Sequence, residues 1–296
     1  MQNQPQHNIV CFGEILWDVL PEQELPGGAP MNVTYHLNKL GKKATLISSI
    51  GDDDRGTALI KVFNEKGIDT SYVQTDPEHR TSLVLATPNE AGDMKYNIVE
   101  DVAWDYINRL PIHDDLISNA RYFVYGSLAT RNKYSRETLF SLLETSTRKV
   151  FDINLRAPFI NRDLLEYQLN RTQVLKMNED ELDLVAGWYS SLSAIEDKIN
   201  LLQQKFGIET VIVTRGARGA LVNYQQQFYA HDGFRVTVAD TIGSGDSFLA
   251  AFLTSFLNGN PLPDVLNFAC TVGAFVATKE GGCPDYELAD IKTFLT

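Results

Sequence analysis

The chain has 296 residues, of which 44% are hydrophobic and 22% charged, with 20 Gly and 11 Pro spread along it. This ordinary globular composition excludes disordered, collagen-like and coiled-coil proteins, and the length allows one large domain or two ordinary ones. Asp and Glu outnumber Lys and Arg by 38 to 26, a net charge of −12, which argues against nucleic acid as a partner.

The cysteines and the first residues of the chain indicate a cytoplasmic protein. Cys11, Cys270 and Cys283 are far apart and form no CxxC pair, so we expect reduced, buried thiols. Residues 1–8 are polar and lack the basic flank and apolar stretch of a signal peptide. No apolar run reaches the roughly 20 residues that span a bilayer, so we expect no membrane partner.

Short apolar runs rich in β-branched and aromatic residues predict strands, and several of the segments between them have helical spacing. In chain order the predicted strands are Ile9–Ile15, Thr45–Ile50, Arg121–Ser127, Val150–Asn154, Val174–Met177 and Thr210–Thr214. Apolar strands that alternate with helices predict an α/β fold with a mostly parallel sheet covered on both faces. No linker divides the chain, so we predict a single domain over residues 1–296.

Residues 80–106 interrupt this alternation. The strand-like runs Thr81–Thr87 and Met94–Val99 are joined by a turn signal at Asn89–Asp93, which predicts a β-hairpin. A further extended piece, Leu16–Leu20, follows the first strand directly. We therefore predict a small β-sheet lid formed by residues 16–26 and 80–106.

The strongest local signal is the sequence DTIGSGD at Asp240–Asp246, which leads into an amphipathic helix. Gly243 and Gly245 allow the backbone to approach a ligand closely, and a helix N-terminus favours an anion. The turn is therefore suited to a phosphate group. Asp246 would repel that phosphate, so it is either a general base for phosphoryl transfer or a helix-capping acid.

Other motifs of nucleotide, metal or hydrolase chemistry are not found. A dinucleotide fingerprint would need Gly or Ala where Phe248 stands. The sequence has no GxxxxGK[ST] loop, no metal-ligand spacing among its 5 histidines and no GxSxG elbow.

A second glycine-led segment begins at Gly27. Pro30 fits the first position of a helix that ends near Gly41, and Asn32 falls in its first turn. The Asn32 carboxamide can donate and accept hydrogen bonds. The segment is suited to a polyhydroxylated ligand, but it also fits an ordinary turn and Pro-capped helix.

Together these segments resemble the paired signatures of the ribokinase-like (phosphofructokinase B type) carbohydrate kinase family. The resemblance to GGxxxN…LG, DTxGxGD, NxxE and TxGxxG is carried by Gly28–Gly41, Asp240–Asp246, Asn178–Glu181 and Thr214–Gly219. The segments Gly13–Asp18 and Asp152–Arg156 are most similar to those of the fructokinase group.

This resemblance implies a three-layer α/β sandwich with a β-sheet lid that often forms a dimer contact. It implies ATP-dependent phosphorylation of a free sugar, in this group D-fructose to fructose 6-phosphate. Ribose and 2-keto-3-deoxygluconate stay open as acceptors, with a nucleoside less favoured. A binding protein that has lost catalysis is the alternative from another class, but Gly243, Gly245 and Asp246 are all present.

Site residues follow from the same resemblance. Asp246 would be the general base, and the backbone N–H groups of Gly243, Ser244 and Gly245 would form the anion hole. The sugar would bind to Asp18, Gly28, Asn32, Asn154 and Arg156. ATP would bind to Asn178, Thr214, Gly216, Gly219 and Gly273. Glu181 would hold Mg²⁺ through water, and a K⁺ site would use Asp240 and Ile242.

Overall fold

The order of strands and helices follows the predicted alternation. The computed structural model describes residues 8–88, 94–146 and 148–294. The strands are β1 (Asn8–Phe12), β2 (Leu16–Val19), β3 (Glu24–Gly27), β4 (Lys43–Gly51), β5 (Val73–Asp76), β6 (Ser82–Pro88), β7 (Met94–Ile98), β8 (Ala120–Gly126), β9 (Lys149–Asp152), β10 (Val174–Asn178), β11 (Thr210–Thr214), β12 (Ala220–Tyr224) and β13 (Gln227–His231). The helices are α1 (Ala29–Lys39), α2 (Asp54–Glu65), α3 (Pro111–Asn119), α4 (Lys133–Thr145), α5 (Arg162–Leu169), α6 (Glu179–Gly187), α7 (Ile195–Phe206), α8 (Ser244–Leu257), α9 (Leu262–Ala277) and α10 (Leu288–Thr293).

A nine-stranded sheet forms the middle layer, in the order β13-β12-β11-β10-β9-β8-β1-β4-β5. Neighbours from β11 to β5 pair in parallel, whereas β12 and β13 are antiparallel at one edge. Alternate residues of β1 point to opposite faces: Ile9 and Cys11 belong to one apolar cluster, Val10 and Phe12 to the other. Helices α1, α2, α8, α9 and α10 cover the first face and α3–α7 the second. The predicted three-layer α/β fold is confirmed.

One predicted strand is divided in two. The run Ile9–Ile15 ends as β1 at Phe12, and the chain then enters the smaller sheet as β2. Gly13 makes the change of direction at φ 140°, where a Cβ would lie 2.9 Å from Pro30 Cγ. Gly13 and the charged Glu14 were the signs of this break in the sequence, but the apolar residues on both sides of them favoured one continuous strand.

The smaller sheet has four strands in the order β3-β2-β6-β7. The predicted hairpin strands are confirmed as β6 and β7, which pair antiparallel, while β2 pairs in parallel with β6. The predicted turn Asn89–Asp93 lies outside the described residues.

The small sheet ends before the predicted lid segment does. Residues Ala103–Tyr106 form a 3₁₀ turn in which Trp104 is buried in the second core cluster. The Arg131 guanidinium stacks 3.9 Å from the centre of the Trp104 ring and donates to Val99 O at 2.7 Å. The small sheet therefore ends at Ile98, and the segment after Val99 is anchored to the main body.

Two further expectations concern cysteines and membranes. The three cysteines are free and buried, as the sequence predicts. Over the described ranges, no helix is both long and apolar enough to cross a bilayer.

Candidate active site

A cleft of about 550 Å³ lies where β9, β10 and β11 end, between the N-terminus of α8 and the small sheet. Ligands of open α/β sheets bind at this carboxyl edge. Residues from distant segments meet here, and those predicted from the sequence are Asp18, Gly28, Asn32, Asn154, Arg156, Asn178, Glu181, Thr214, Ile242, Gly243, Gly245 and Asp246.

Asp246 lies in the first turn of α8 and is 9% exposed. The Asn32 side chain, in the first turn of α1, donates from Nδ2 to Asp246 Oδ2 at 2.8 Å. Burial raises the pKa of Asp246 to about 6, with a further contribution from the Asp152 charge; Lys176 and the Asn32 hydrogen bond act in the opposite direction. A solvated capping acid would not have this environment, so the geometry favours a proton acceptor.

A buried ion pair between Lys176 and Asp152 faces Asp246, and we did not predict it. Lys176 Nζ lies 2.9 and 2.7 Å from the two carboxylate oxygens of Asp152. Burial opposes the lysine charge, but Asp152 and Asp246 outweigh it and raise the pKa of Lys176. A Cβ on Gly245 would lie 3.4 Å from Nζ, so the ammonium group lies against the glycine turn. A charged residue inside the apolar run Val174–Met177 was the available signal.

The turn before α8 has the predicted shape, but one predicted donor has another partner. Gly243 caps the helix at φ 74°, where a Cβ would lie 2.5 Å from Gly282 Cα. The Ser244 N–H donates to Thr241 O at 3.3 Å, and its hydroxyl donates to Gly273 O at 3.1 Å. Ser244 therefore helps to hold the turn together, while Gly243 and Gly245 line the cleft. The anion-hole role of these three residues stays a prediction.

Two further carboxylates, Glu14 and Asp18, line the cleft. Burial raises the pKa of Asp18 to about 6 and that of Glu14 to about 7. Glu14 Oε1 accepts the Ala29 N–H at 3.3 Å, whereas Oε2 has no hydrogen-bond partner among the described residues. We did not assign Glu14 from the sequence, because it fell inside the predicted strand Ile9–Ile15. Gly28, at φ 115°, leaves no room for a Cβ beside the Glu14 carbonyl.

Arg156 and Asn154 follow β9 on the cleft wall. The Arg156 side chain is exposed and donates to Leu155 O at 3.1 Å. Its other N–H groups have no hydrogen-bond partner among the described residues. Asn154 adopts a positive φ of 41°, in the left-handed region that Asn adopts more often than most other non-glycine residues.

Asn178 and Glu181 form a capping box at the start of α6. Asn178 Oδ1 accepts the Glu181 N–H, and Glu181 Oε2 accepts the Asn178 N–H, both at 2.8 Å. Glu181 Oε1 accepts the Leu155 N–H at 2.8 Å. Burial and the nearby Asp152 raise the pKa of Glu181, so this carboxylate is not a solvated helix charge. Within the described ranges, no group of three metal-ligating side chains is found.

Asp240 joins two turns beside the cleft. Its Oδ1 accepts the Ile242 N–H at 2.9 Å and its Oδ2 accepts the Gly281 N–H at 3.1 Å. Both carboxylate oxygens thus hold backbone in place next to Gly243.

The structure does not bring three predicted nucleotide residues into this cleft. A Cβ on Gly219 would overlap the His231 carbonyl, so this glycine is required by the packing of the β12 turn. Gly216 adopts φ 58° in the same turn. Gly273 lies on α9, where a Cβ would be 3.3 Å from Ser244 O, and it allows α9 to approach the start of α8.

Comparisons with known proteins identify the family and the fold. Residues 6–288 match the model of the pfkB family carbohydrate kinases. A fructokinase of Salmonella typhimurium is 30% identical over 91% of this chain and 93% of its own length. The crystal structure of a fructokinase with bound ATP from Xylella fastidiosa is similar with a TM-score of 0.85, at 22% identity over 98% of both chains. A Vibrio cholerae fructokinase double mutant bound to fructose, ADP and potassium has a TM-score of 0.84, at 23% identity over 100% of both chains.

Proposed function

The chain belongs to the pfkB family of carbohydrate kinases, and we propose that it transfers the γ-phosphoryl group of ATP to D-fructose, giving fructose 6-phosphate and ADP. The observation that carries this proposal is the buried Asp246. Its carboxylate accepts a hydrogen bond from Asn32, and it lies beside Gly245 and Lys176. The fructokinases among its relatives support fructose as the acceptor.

Asp246 acts as the general base. The sugar hydroxyl gives its proton to the carboxylate as its oxygen attacks the γ-phosphorus, and the bond from that phosphorus to the β,γ-bridging oxygen breaks to release ADP. A pKa of about 6 leaves the carboxylate mostly ionised at neutral pH while keeping it basic enough to accept a proton.

Backbone N–H groups and one lysine stabilise the transferring group. Gly243 and Gly245 line the cleft at the N-terminus of α8, where unpaired N–H groups and the helix dipole favour negative charge. Lys176 adds a fixed positive charge against this turn. Asp152 keeps the lysine ionised and oriented through two hydrogen bonds.

Mg²⁺ and K⁺ are the proposed ions. Both Glu181 oxygens already accept backbone N–H groups, so the carboxylate fits a Mg²⁺ ion held through water. Mg²⁺ held there would neutralise negative charge on the phosphate groups. Asp240 and Ile242 form the proposed K⁺ site.

The charge of the cleft favours a neutral acceptor. Its described lining carries five carboxylate side chains, those of Glu14, Asp18, Asp152, Glu181 and Asp246, against two cationic ones, those of Arg156 and Lys176. Lys176 is already paired with Asp152. An acceptor with its own carboxylate, such as 2-keto-3-deoxygluconate, would add negative charge beside Glu14 and Asp18. This supports a free, uncharged sugar.

The nucleotide extends from the cleft past Thr214, and Gly216, Gly219 and Gly273 stay proposed as residues near its base. We also propose that the four-stranded sheet is a lid within one kinase domain. Strands β3 and β7 are the edges of that sheet, and an exposed edge can pair with a second copy, so the proposed homodimer uses this sheet.

An acceptor panel tests the proposed function. ADP formation by the purified protein with Mg²⁺ is measured with fructose, ribose, 2-keto-3-deoxygluconate and adenosine, with and without K⁺. Turnover that depends on fructose supports the proposal. Turnover with ribose alone would keep the kinase chemistry and show that the assignment of the sugar is wrong. ADP formation that depends on none of the acceptors would favour a binding protein.

A further inference from the structure

The Asn32 carboxamide is held at both ends. Its Nδ2 donates to Asp246 Oδ2 at 2.8 Å, and its Oδ1 accepts a hydrogen bond from Cys283 Sγ at 3.3 Å. Burial raises the pKa of the Cys283 thiol well above its usual value, so the thiol keeps its proton and is a donor. The three side chains form one directed chain from Cys283 to the general base.

This chain selects one orientation of the amide. If the Asn32 carboxamide were flipped, Oδ1 would face the Asp246 carboxylate and two acceptors would meet. Its NH₂ group would then face the Cys283 sulfur, a weak acceptor. The thiol and the carboxylate therefore both favour Nδ2 towards Asp246.

The backbone of Gly282, next to Cys283, packs between Asn32 and the turn that precedes α8. A Cβ on Gly282 would lie 2.7 Å from Asn32 Nδ2, and a Cβ on Gly243 would lie 2.5 Å from Gly282 Cα. Residues Gly281–Cys283, which we name the 281–283 turn, thus touch both the amide and the anion hole. Neither contact leaves room for a larger residue.

The His36 side chain holds the 281–283 turn through a hydrogen bond to the Gly282 carbonyl. Its Nε2 lies 2.8 Å from Gly282 O, and because a carbonyl can only accept, Nε2 carries the proton. Its Nδ1 then accepts from the Tyr286 hydroxyl at 3.0 Å. Burial lowers the pKa of His36 to about 4, so the ring is neutral. His36 lies one helical turn after Asn32 on α1, and the same helix thus holds both the amide and the turn that orients it.

We propose that the 281–283 turn is a positioning element that aims the Asn32 carboxamide at Asp246, with Cys283 and His36 as its positioning residues. In catalysis this inference rests on the proposed function, because it assumes that Asp246 is the base. The hydrogen-bond chain itself can be tested without turnover.

The test compares Cys283→Ala with Cys283→Ser, which keeps a donor. The matched control is Cys270→Ala, because Cys270 is a second buried thiol, on α9, outside the cleft lining. The first readout is the pKa of the Asp246 carboxyl, from a ¹³C NMR titration of the protein without ligands. Losing the aimed donor should raise this pKa by about 0.5 unit in Cys283→Ala, with little change in Cys283→Ser or Cys270→Ala.

The second readout is kinetic. We expect Cys283→Ala to lower kcat about 3- to 10-fold with the KM for ATP unchanged, and Cys283→Ser to restore most of the rate. In an Asn32→Ala background, Cys283→Ala should have no further effect on kcat, because its contribution passes through Asn32.

The outcomes separate the two proposals. An unchanged Asp246 pKa in Cys283→Ala, or equal losses in Cys283→Ala and Cys270→Ala, would overturn the positioning role. A wild-type protein that phosphorylates no sugar would contradict the proposed function, while the NMR titration would still decide whether the turn orients Asn32.

Discussion

Asn32 and Asp246 lie 214 residues apart in the sequence, and their side chains meet at 2.8 Å in the cleft. Each occupies the first turn of its helix, α1 or α8, and each follows a glycine at positive φ, Gly28 or Gly243. Helices α1 and α8 pack on the same face of the sheet. This contact joins the predicted sugar segment to the predicted phosphate segment in one cleft.

The acidic side of the pH–rate profile should reflect Asp246. Burial raises its pKa to about 6, and the ionised form is the base, so kcat should fall about tenfold per pH unit below that value. The Asn32 hydrogen bond lowers this pKa, so Asn32→Ala should shift the acidic limb to higher pH. Measuring kcat at saturating sugar from pH 5 to 8 for both proteins is the check.

Asp18 and Glu14 could also produce the acidic limb of the profile, because their pKa values are about 6 and about 7. If Asp18→Asn or Glu14→Gln abolished the limb while Asn32→Ala left it in place, Asp246 would not be the titrating base.

Lys176 should matter for stability and for rate through separate effects. Its side chain is 8% exposed and that of Asp152 is 7% exposed. Lys176→Met would leave Asp152 buried without a partner, at a cost of about 3–5 kcal/mol in the free energy of unfolding. The double variant Lys176→Met/Asp152→Leu should regain much of that stability but not the rate, because the charge beside Gly245 is still missing.

Urea unfolding and kcat, measured on the same preparations, check this prediction. Recovery of both stability and kcat in the double variant would show that the lysine has no role in phosphoryl transfer.

The small sheet should close over bound sugar. Val84 and Ile98 from β6 and β7 line the cleft, so saturation with the acceptor should slow amide hydrogen exchange in residues 16–27, 82–88 and 94–98. Exchange in β13, which does not line the cleft, gives the control within the same protein. Unchanged exchange in these strands at saturating sugar would contradict a lid.

Arg131 should limit the closure of the small sheet, because it holds the chain directly after β7. Its guanidinium donates to Asp105 and to Val99 O, all at 2.7 Å, and it is 3% exposed. Arg131→Leu leaves Asp105 buried and unpaired, so we expect a loss of about 3–5 kcal/mol in the free energy of unfolding. Faster exchange in residues 94–98 should accompany it. Thermal unfolding and exchange data on this variant are the measurements, and an unchanged melting temperature would exclude the anchor.

The sequence predicts the parts of this site that have local signals. The glycine turns before α1 and α8, the first-turn Asn32 and Asp246, and the alternation of strands and helices each depend on neighbours a few residues away. The Lys176–Asp152 pair does not, because two charges become a buried pair only when β9 and β10 lie side by side.

Glycines were harder to interpret than charged residues. A glycine in the sequence can indicate that a Cβ would not be accommodated at that position, but it does not show which neighbouring atom occupies the space. Gly243 makes room for Gly282 beside the cleft, whereas Gly219 makes room for the His231 carbonyl outside it. The hydrogen bond from the Ser244 N–H to the carbonyl of Thr241 was not evident from the sequence for a similar reason, since the sequence does not show how the turn folds back on itself.

The most direct test of the account is the rate of fructose 6-phosphate formation from ATP and fructose by the wild-type protein and by Asp246→Asn. The amide keeps an oxygen that can accept the Asn32 hydrogen bond, so the variant should fold with an unchanged melting temperature. We expect kcat to fall by about 10²- to 10⁴-fold, the usual contribution of a general base. A variant that keeps most of the wild-type rate would contradict the assignment of Asp246 and with it the proposed mechanism.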